Sequence, residues 1–242
     1  GRHVAFFRAV LQLWASAIRG LRRGLERVGL LDRLDQWAAR SRIGLWVRSQ
    51  LSVYDVTDFM RLDLPWWTLN AVTLVDEFLQ ARPHARVFEW GSGASTIWLE
   101  KRAAEVISVE NDERWHEMMS SYVGPTTSLW HTDAPSAEEP RIPSRWWGHR
   151  GRDFFDYVHA IDNTDGQFDL IVIDGRARTA CLDKAISRLT PDGMVVFDNT
   201  NRPRYREALA RTRGRLDEFV TRGMTPSLPY STTTSLLRKT EG

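Results

Sequence analysis

The 242-residue sequence is 42% apolar and 26% charged, a composition that suits one large α/β domain with a buried core. No run approaches the roughly 18 consecutive apolar residues of a membrane span, and no secretory signal is recognisable, so we expect a soluble, cytoplasmic protein. The single cysteine, Cys181, excludes an internal disulfide and is expected to be a small helix residue.

The basic residues are concentrated near the N-terminus. Residues 1–50 contain ten Lys and Arg against three Asp and Glu, whereas residues 51–242 contain 23 against 28. A nucleic-acid-binding face normally carries clustered basic residues interleaved with aromatics, but most of this chain is net acidic. We therefore expect no nucleic-acid partner.

The first predicted element is one long amphipathic, basic helix over 4–34. Its apolar positions recur at steps of three and four: Val4, Phe7, Leu11, Trp14, Ile18, Leu21, Leu25 and Val28. Between them fall Arg8, Arg19, Arg22, Arg23 and Arg27. The apolar stripe suits packing on the main domain or on a second subunit of a homodimer, and the basic face also suits peripheral attachment to an anionic inner membrane face. We assign residues 1–63 to this helical appendage and 64–242 to the main domain.

An alternation of strands and helices follows. Thr68 is the predicted N-cap of a helix over 69–81. Strands are predicted at 86–89, 105–110, 127–131, 168–174 and 193–198, with helices near 95–104, 112–121, 153–162 and 178–189. Short apolar runs between helical patterns indicate a parallel sheet with helices on both faces. Two β-rich runs at 216–221 and 231–237 predict a closing antiparallel edge pair.

The turn after the first strand carries the main functional signal. That strand ends in Glu89 and runs into Gly91-x-Gly93, a tight turn at the carboxyl edge of a parallel sheet, where such sheets bind ligands. Glu110 ends the next strand, at the spacing that places a carboxylate on ribose hydroxyls. Nicotinamide enzymes and methyltransferases both use this geometry. Because Thr96 stands where a dinucleotide fold needs its third glycine, a cofactor that carries an ammonium and a sulfonium fits better.

These motifs resemble those of class I S-adenosylmethionine-dependent methyltransferases. The resemblance covers about 64–240 and rests on the glycine loop, Glu110, Asp133-Ala134 and the run 168–175. It implies a Rossmann-like, seven-stranded, mostly parallel sheet of order 3-2-1-4-5-7-6, with S-adenosylmethionine as cofactor. It also implies that the glycine loop faces the methionine part, Glu110 the ribose and Asp133 the adenine. The implied cofactor contacts are Glu89, Gly91, Ser92, Gly93, Ser95, Thr96, Glu110, Asp133 and Ala134.

Oxygen-bearing side chains end two neighbouring strands. Asp174 follows the fourth strand, and Asp198-Asn199 follows the fifth. Such ligands suit Mg²⁺ or a similar divalent ion, which would lower the pKa of an acceptor hydroxyl. The arrangement resembles that of cation-dependent O-methyltransferases of the catechol and macrolide-sugar type. The alternative is that Asp198-Asn199 only caps a turn before Arg202-Pro203.

Several residues are candidates for the group that takes the proton of the methyl acceptor's hydroxyl. Asp174 and His149 are the predicted catalytic residues. His149 lies in the loop before the fourth strand, and a histidine titrates near neutral pH, which suits proton removal. His131 and His159 are further candidates.

The acceptor pocket is expected from two segments that enter from outside the sheet, 54–67 and 135–153. Each segment carries a tryptophan pair, Trp66-Trp67 and Trp146-Trp147. Indole faces offer flat apolar contact to a sugar ring or an aromatic ring. The same tryptophans are also ordinary core residues, so the pattern indicates only part of the pocket.

The sequence therefore predicts O-methylation of a hydroxyl on a sugar, glycan or glycosylated natural product, assisted by a divalent cation. Arg176 and Arg178 are either ligands for a carboxylate or phosphate of the acceptor or members of a solvated loop. One alternative is a metal-independent small-molecule methyltransferase with a histidine base. Another is a non-catalytic recruiting module that keeps only the fold. Thr96 disfavours a nicotinamide-dependent oxidoreductase.

Overall fold

A computed structural model describes residues 2–241, and for residues 2–5, 7, 8 and 147 it describes the backbone alone. The α-helices in this part of the chain are α1 (Arg2–Arg27), α2 (Leu30–Arg40), α3 (Arg42–Ser49), α4 (Val56–Leu62), α5 (Leu69–Gln80), α6 (Ala94–Glu100), α7 (Glu113–Ser120), α8 (Phe155–His159), α9 (Arg178–Arg188) and α10 (Pro203–Ala210). The strands are β1 (Arg86–Trp90), β2 (Glu105–Glu110), β3 (Thr127–His131), β4 (Phe168–Ile173), β5 (Leu189–Asp198), β6 (Leu216–Gly223) and β7 (Thr232–Lys239). Short 3-10 turns occupy Trp147–His149 and Ala160–Asn163.

The seven strands form one sheet in the order β3-β2-β1-β4-β5-β7-β6. β7 pairs antiparallel with β5 and β6, and the remaining pairs are parallel. The predicted Rossmann-like order and the closing antiparallel pair are therefore confirmed. The carboxyl ends of β1, β2, β4 and β5 meet at one edge, where a sheet of this kind binds ligands.

Helices cover both faces of the sheet. Consecutive residues of a strand point to opposite sides of the sheet, so apolar side chains lie on both faces. In β1, Phe88 packs in one cluster with Tyr157 and Phe168. Its neighbour Val87 packs in the opposite cluster with Trp98. All of these side chains are buried, which is why the residues of β1 and β4 that belong to these clusters are apolar.

The N-terminal region differs from the predicted single helix over 4–34. Gly29 adopts a left-handed conformation with φ of +72°, which residues with a side chain rarely take, and the chain turns there from α1 into α2. No prediction covered α3, α4 or α10. α10 begins at Pro203, where the missing backbone N–H of proline costs little. The domain boundary that we place after residue 63 stays a prediction.

Only part of the α1 apolar stripe packs against the protein. The half-buried members are Leu11, Ile18 and Leu25, and the exposed members are Trp14, Leu21 and Val28. Three predicted positions of this helix lie outside the described side chains: Val4, Phe7 and Arg8. A homodimer or an anionic membrane surface against the exposed half stays a prediction. No helix among residues 2–241 is long and apolar enough to cross a membrane.

Asp58 of α4 ties the N-terminal helices together. Its carboxylate accepts two 2.8 Å hydrogen bonds from the Arg48 guanidinium of α3 and one from Ser52, and it pairs with Arg22 of α1 at 2.9 Å. Arg48 is fully buried, and its Nε reaches Asp35 of α2 at 2.6 Å. Burial raises the pKa of Asp58, but hydrogen bonds from Arg48 and Ser52, together with the charges of Arg48 and Arg22, outweigh it and hold that pKa below its ordinary value.

Removing Arg48 should destabilise the fold strongly. Arg48→Ala leaves Asp58 buried without its main partner, and the loss of one member of a buried ion pair costs about 3–5 kcal/mol. The matched control is Arg61→Ala: Arg61 is mostly exposed and pairs with Asp35, so its loss should cost less than about 1 kcal/mol. Urea denaturation measures both free energies of unfolding. Equal values for the two variants would contradict a central role of the Asp58 network.

Candidate functional site

A cleft opens at the carboxyl edge of the sheet, at the ends of β1, β4 and β5. It consists of two adjoining cavities of about 510 and 750 Å³. Six residues line both cavities: Tyr54, Trp66, Gly91, Ser92, Asp174 and Asn199. The cleft therefore joins the predicted glycine loop to the predicted acidic strand ends and to one of the predicted aromatic segments.

The floor of the cleft is backbone, because two glycines meet there. Gly91 has a φ of +94°, and a Cβ on it would lie 2.6 Å from the Cα of Gly175. A Cβ on Gly175 would in turn lie 2.0 Å from the hydroxyl of Tyr157. A side chain at either position would push apart the loops that follow β1 and β4. The contact between these loops thus requires glycine and leaves the floor free of side chains.

Glu89 is enclosed beneath the glycine loop and lines neither cavity. Its carboxylate accepts hydrogen bonds from the hydroxyls of Ser95, Thr96 and Ser108. Thr96 Oγ1 also accepts a hydrogen bond from the Gly93 N–H at 3.0 Å. Burial raises the pKa of Glu89 to about 7, although the three hydroxyls act in the opposite direction. Glu89 and Thr96 shape the loop from below, and direct contact of either with a cofactor stays a prediction.

Glu110 ends β2 and lines the larger cavity. One carboxylate oxygen accepts hydrogen bonds from the N–H and Oγ of Ser92, at 3.2 and 2.8 Å, and the other accepts from the N–H groups of Asn111 and Asp112, at 2.8 and 2.9 Å. Burial raises the pKa of Glu110, against these donors. Trp115, which no sequence motif marks, lines the same cavity and donates to the Ser92 carbonyl at 2.9 Å. The Glu110 carboxylate is thus fixed in orientation beside the loop.

Asp133 and Ala134 line neither of the two cavities. Asp133 is exposed, and its Oδ1 accepts a hydrogen bond from the backbone N–H of Ala134 at 2.8 Å. Ala134 itself is buried. The adenine contact that the resemblance implies for this pair stays a prediction.

Arg178 occupies the space among the three residues predicted to bind a metal. Its Nη1 donates to the Asp198 carbonyl at 2.8 Å and to Asn199 Oδ1 at 3.2 Å, while its Nη2 lies 3.2 Å from Asp174 Oδ1. The Nε donates to the Gly175 carbonyl at 3.0 Å. Only 9% of Arg178 is exposed. One guanidinium therefore bridges the loops that follow β4 and β5.

The two carboxylates at these strand ends have raised pKa values. Burial raises the pKa of Asp174, and the charge of Arg178 opposes this effect. Burial, followed by the charge of Asp174, raises the pKa of Asp198. Asp198 Oδ1 accepts a 2.7 Å hydrogen bond from Thr234. The two carboxylates thus titrate as an interacting pair.

This arrangement does not fit the predicted divalent ion. Asn199 Oδ1 and Asp174 Oδ1 face the Arg178 guanidinium, and Asp198 Oδ1 accepts from Thr234. One side-chain oxygen of each of the three residues is therefore turned toward a protein donor, and a cation among them would repel the Arg178 charge. Among the side chains that the structure describes, no group of three or more His, Cys, Asp and Glu is arranged to hold a metal ion.

His149 is the histidine candidate that lines the cleft. His159 Nδ1 lies 2.8 Å from the Phe155 carbonyl in its own helix, and His131 is an exposed residue at the end of β3. Neither of these two lines the described cavities. The structure therefore brings His149 and Asp174 together as candidates for the proton acceptor.

Aromatic side chains form part of the cleft wall. Tyr54 and Trp66 come from the first predicted acceptor segment, and Trp146 comes from the second. Trp67, by contrast, is fully buried in the core. The side chain of Trp147 lies outside the described residues. Each predicted tryptophan pair therefore contributes at least one indole to the cleft.

Helix α1 supplies another part of the wall, which no local pattern indicates. Leu11 and Trp14 line the smaller cavity. Further along α1, Arg22 pairs with Asp55 at 2.6 Å and so anchors the helix to the segment that carries Tyr54. The N-terminal helix is thus part of the candidate site as well as an appendage.

Comparisons with known proteins agree with the fold. Residues 88–200 match a family model described as a methyltransferase domain. An O-methyltransferase from Bacillus cereus, solved with S-adenosylhomocysteine (SAH), has a TM-score of 0.57 at 15% identity and covers 86% of this chain and 100% of its own. The O-methyltransferase TomG from Streptomyces achromogenes, involved in tomaymycin synthesis, has a TM-score of 0.53 at 18% identity, with coverages of 78% and 89%. No curated protein sequence matches the chain.

The family match and the sheet order agree with each other. Residues 88–200 match a methyltransferase domain, and the sheet has the strand order implied by the resemblance to class I, S-adenosylmethionine-dependent methyltransferases. The fold of the chain is the one found in the two O-methyltransferase structures.

Ionisation of the buried Glu89 should make the fold less stable as the pH rises. The pKa of Glu89 is about 7 in the folded protein and about 4.3 in an unfolded chain, so between these values only the folded state keeps the proton. The contribution of Glu89 to the free energy of unfolding is therefore fully present below about pH 4. It decreases by about 3 kcal/mol as the pH rises to about 7. Urea denaturation at about pH 5 and about pH 8 measures this decrease.

Two variants isolate the contribution of Glu89. Glu89→Gln should flatten the dependence of the free energy of unfolding on pH, because the neutral amide does not ionise. Glu117→Gln removes an exposed carboxylate of α7 and should keep the dependence of the wild type. Equal pH dependence in wild type and Glu89→Gln would contradict the raised pKa.

Proposed function

We propose that this protein transfers a methyl group from S-adenosylmethionine to a hydroxyl oxygen of a small-molecule acceptor. One observation carries the proposal: the glycine loop, Glu110 and Asp174 border one cleft with partly aromatic walls. Methyl transfer to oxygen needs a cofactor cradle, an aligned acceptor and a group that takes the hydroxyl proton. The cleft offers candidates for all three.

The acidic side of the cleft suits a cofactor with positive charges. Glu110 would accept hydrogen bonds from the ribose hydroxyls, and the backbone at Gly91 and Gly93 would border the methionine part. When bound, S-adenosylmethionine supplies a methyl group on a sulfonium, and SAH remains after the acceptor oxygen has formed its new bond to carbon. Ser92 is held by Glu110 and Trp115, so the loop is ordered before any ligand binds.

Asp174 is the group that we propose takes the proton of the acceptor hydroxyl. It lines both cavities. Burial raises the pKa of Asp174, which makes its carboxylate a better proton acceptor than an exposed aspartate. Arg178, 3.2 Å away, restricts the orientation of that carboxylate. His149, which lines the larger cavity, is the second candidate.

We further propose that the reaction needs no divalent ion, although the sequence pattern favoured Mg²⁺ at Asp174, Asp198 and Asn199. Arg178 supplies a permanent positive charge at the same strand ends. This charge stabilises the ionised form of Asp174, which is the form that can accept a proton. The arrangement therefore supports a metal-independent methyl transfer, with Asp174 in place of the histidine base of the alternative that the sequence offered.

The aromatic walls favour a ring next to the acceptor hydroxyl. Tyr54, Trp66 and Trp146 offer flat apolar faces together with N–H and O–H groups, a combination that suits a sugar ring. The proposed acceptor is accordingly a sugar, a glycan end or a glycosylated natural product.

Two substitutions should separate cofactor binding from proton transfer. Glu110→Gln removes the proposed ribose acceptor and should weaken SAH binding about tenfold or more, as measured by isothermal titration calorimetry. Asp174→Asn should keep SAH binding but slow methyl transfer about 100-fold or more. Methyl transfer is measured as radioactivity moved from methyl-labelled S-adenosylmethionine to a panel of sugars and glycosylated compounds.

The matched control is Glu113→Gln. Glu113 is exposed on α7 near the cleft but lines neither cavity. Its loss should therefore change neither the SAH affinity nor the rate of methyl transfer. Unchanged SAH affinity in Glu110→Gln would contradict the cofactor site. Full methyl transfer by Asp174→Asn, with a slow His149→Gln variant, would assign the proton acceptor to His149.

A further inference from the structure

A third cavity, of about 420 Å³, adjoins the larger cavity of the cleft. The two share Trp146, Gly175 and Arg176 among their lining residues. Seven of the described arginines line this third space, which we call the arginine cavity. Among the described residues that line it, Glu207 is the single acidic one. The arginine cavity therefore holds a strong excess of positive charge.

Most of these arginines form no ion pair with a carboxylate in the described part of the chain. Arg141 pairs with Asp153 at 2.7 Å, and Arg178 pairs with Asp174. The other five make no ion pair with any residue in the described range: Arg145, Arg176, Arg202, Arg204 and Arg211. Positive groups that are gathered in one cavity without counter-charges raise the energy of the empty site and favour an anionic ligand.

Two helices begin at the arginine cavity without a side-chain cap. Ala177 is the N-cap residue of α9 and Arg202 is that of α10, and neither side chain accepts a hydrogen bond from the first turn. Thr179 and Arg204, which belong to these first turns, line the cavity. Free N–H groups at a helix N-terminus carry partial positive charge and bind anions. The helix ends therefore add to the field of the arginines.

We propose that the arginine cavity binds a phosphate group of the methyl acceptor, so that the acceptor is a phosphorylated hydroxyl compound of the sugar phosphate type. This inference rests on the proposed function, because the cavity is an acceptor subsite only if methyl transfer takes place in the adjoining cleft. Gly175 and Arg176 border both spaces and directly follow Asp174. A phosphate in the arginine cavity would therefore leave the rest of the molecule on the Asp174 side.

The amount of charge favours a phosphate over a carboxylate. Burial lowers the pKa of Arg176, and the neighbouring charge of Arg178 lowers it further. A carboxylate would neutralise one such guanidinium. A phosphate monoester carries nearly two negative charges at neutral pH and three acceptor oxygens, and guanidinium groups bind such oxygens in pairs.

Binding of inorganic pyrophosphate to the full chain, measured by isothermal titration calorimetry, tests the proposal. A double variant, Arg204→Gln with Arg211→Gln, changes two arginines that line the arginine cavity but neither cavity of the cleft. It should bind pyrophosphate at least about tenfold more weakly than wild type, because each lost charge-assisted hydrogen bond is worth about that factor. Arg213→Gln is the matched control: Arg213 is exposed near Arg211 but lies outside the arginine cavity, so its loss should have no effect.

Methyl transfer to hexose phosphates and to the parent hexoses completes the test. We expect wild type to prefer the phosphorylated sugars and the double variant to lose that preference while it keeps SAH binding. If SAH binds but pyrophosphate affinity is the same in the double variant and in Arg213→Gln, the phosphate subsite is wrong and the proposed function survives. If pyrophosphate binds but SAH does not, the proposed function fails, and the role of the arginine cavity as an acceptor subsite fails with it.

Discussion

The buried guanidinium of Arg178 is the interaction on which the candidate site depends. It donates to the carbonyls of Asp174, Gly175 and Asp198 and to the side chain of Asn199, so the loops after β4 and β5 are held together. A buried charge costs several kcal/mol unless it is paired. Burial lowers the pKa of Arg178, but the charge of Asp174, together with Tyr205, Asp198 and Tyr157, more than compensates and holds the pKa above its ordinary value. The strand ends can therefore keep two neighbouring carboxylates with a guanidinium as their counter-charge.

Arg178 also stands between two regions of opposite charge. Glu110, Asp174 and Asp198 lie on the glycine-loop side, and Arg145, Arg204 and Arg211 lie on the other side. Arg176 and Arg202 line both the arginine cavity and the larger cavity of the cleft. An acidic region suits a cofactor that carries a sulfonium and an ammonium, whereas a basic region suits an anionic acceptor. This division would orient the two substrates toward each other, with Asp174 at the boundary between the regions.

Most of the sheet could be predicted, because the apolar pattern of a strand is a local feature of the sequence. β2 and β3, for example, span the predicted residues. The break of the N-terminal helix at Gly29 could not be predicted, since one glycine inside a helical pattern costs only about 1 kcal/mol and is often tolerated. The motif residues at the strand ends were found for the same local reason. The bridging role of Arg178 could not be predicted, because its burial depends on distant strand ends. The sequence marks Arg176 and Arg178 alike as candidate ligands for an anion. Trp115 depends on a similar non-local contact, its hydrogen bond to the glycine loop.

Diffraction from crystals grown with Mn²⁺ and SAH tests most directly whether Arg178 takes the place of a metal ion. Mn²⁺ accepts the same oxygen ligands as Mg²⁺, and its anomalous signal identifies it in a diffraction map. We expect no anomalous peak within coordination distance of Asp174, Asp198 and Asn199, and a guanidinium hydrogen-bonded among them. A Mn²⁺ peak coordinated by these three residues, with Arg178 displaced, would contradict the account.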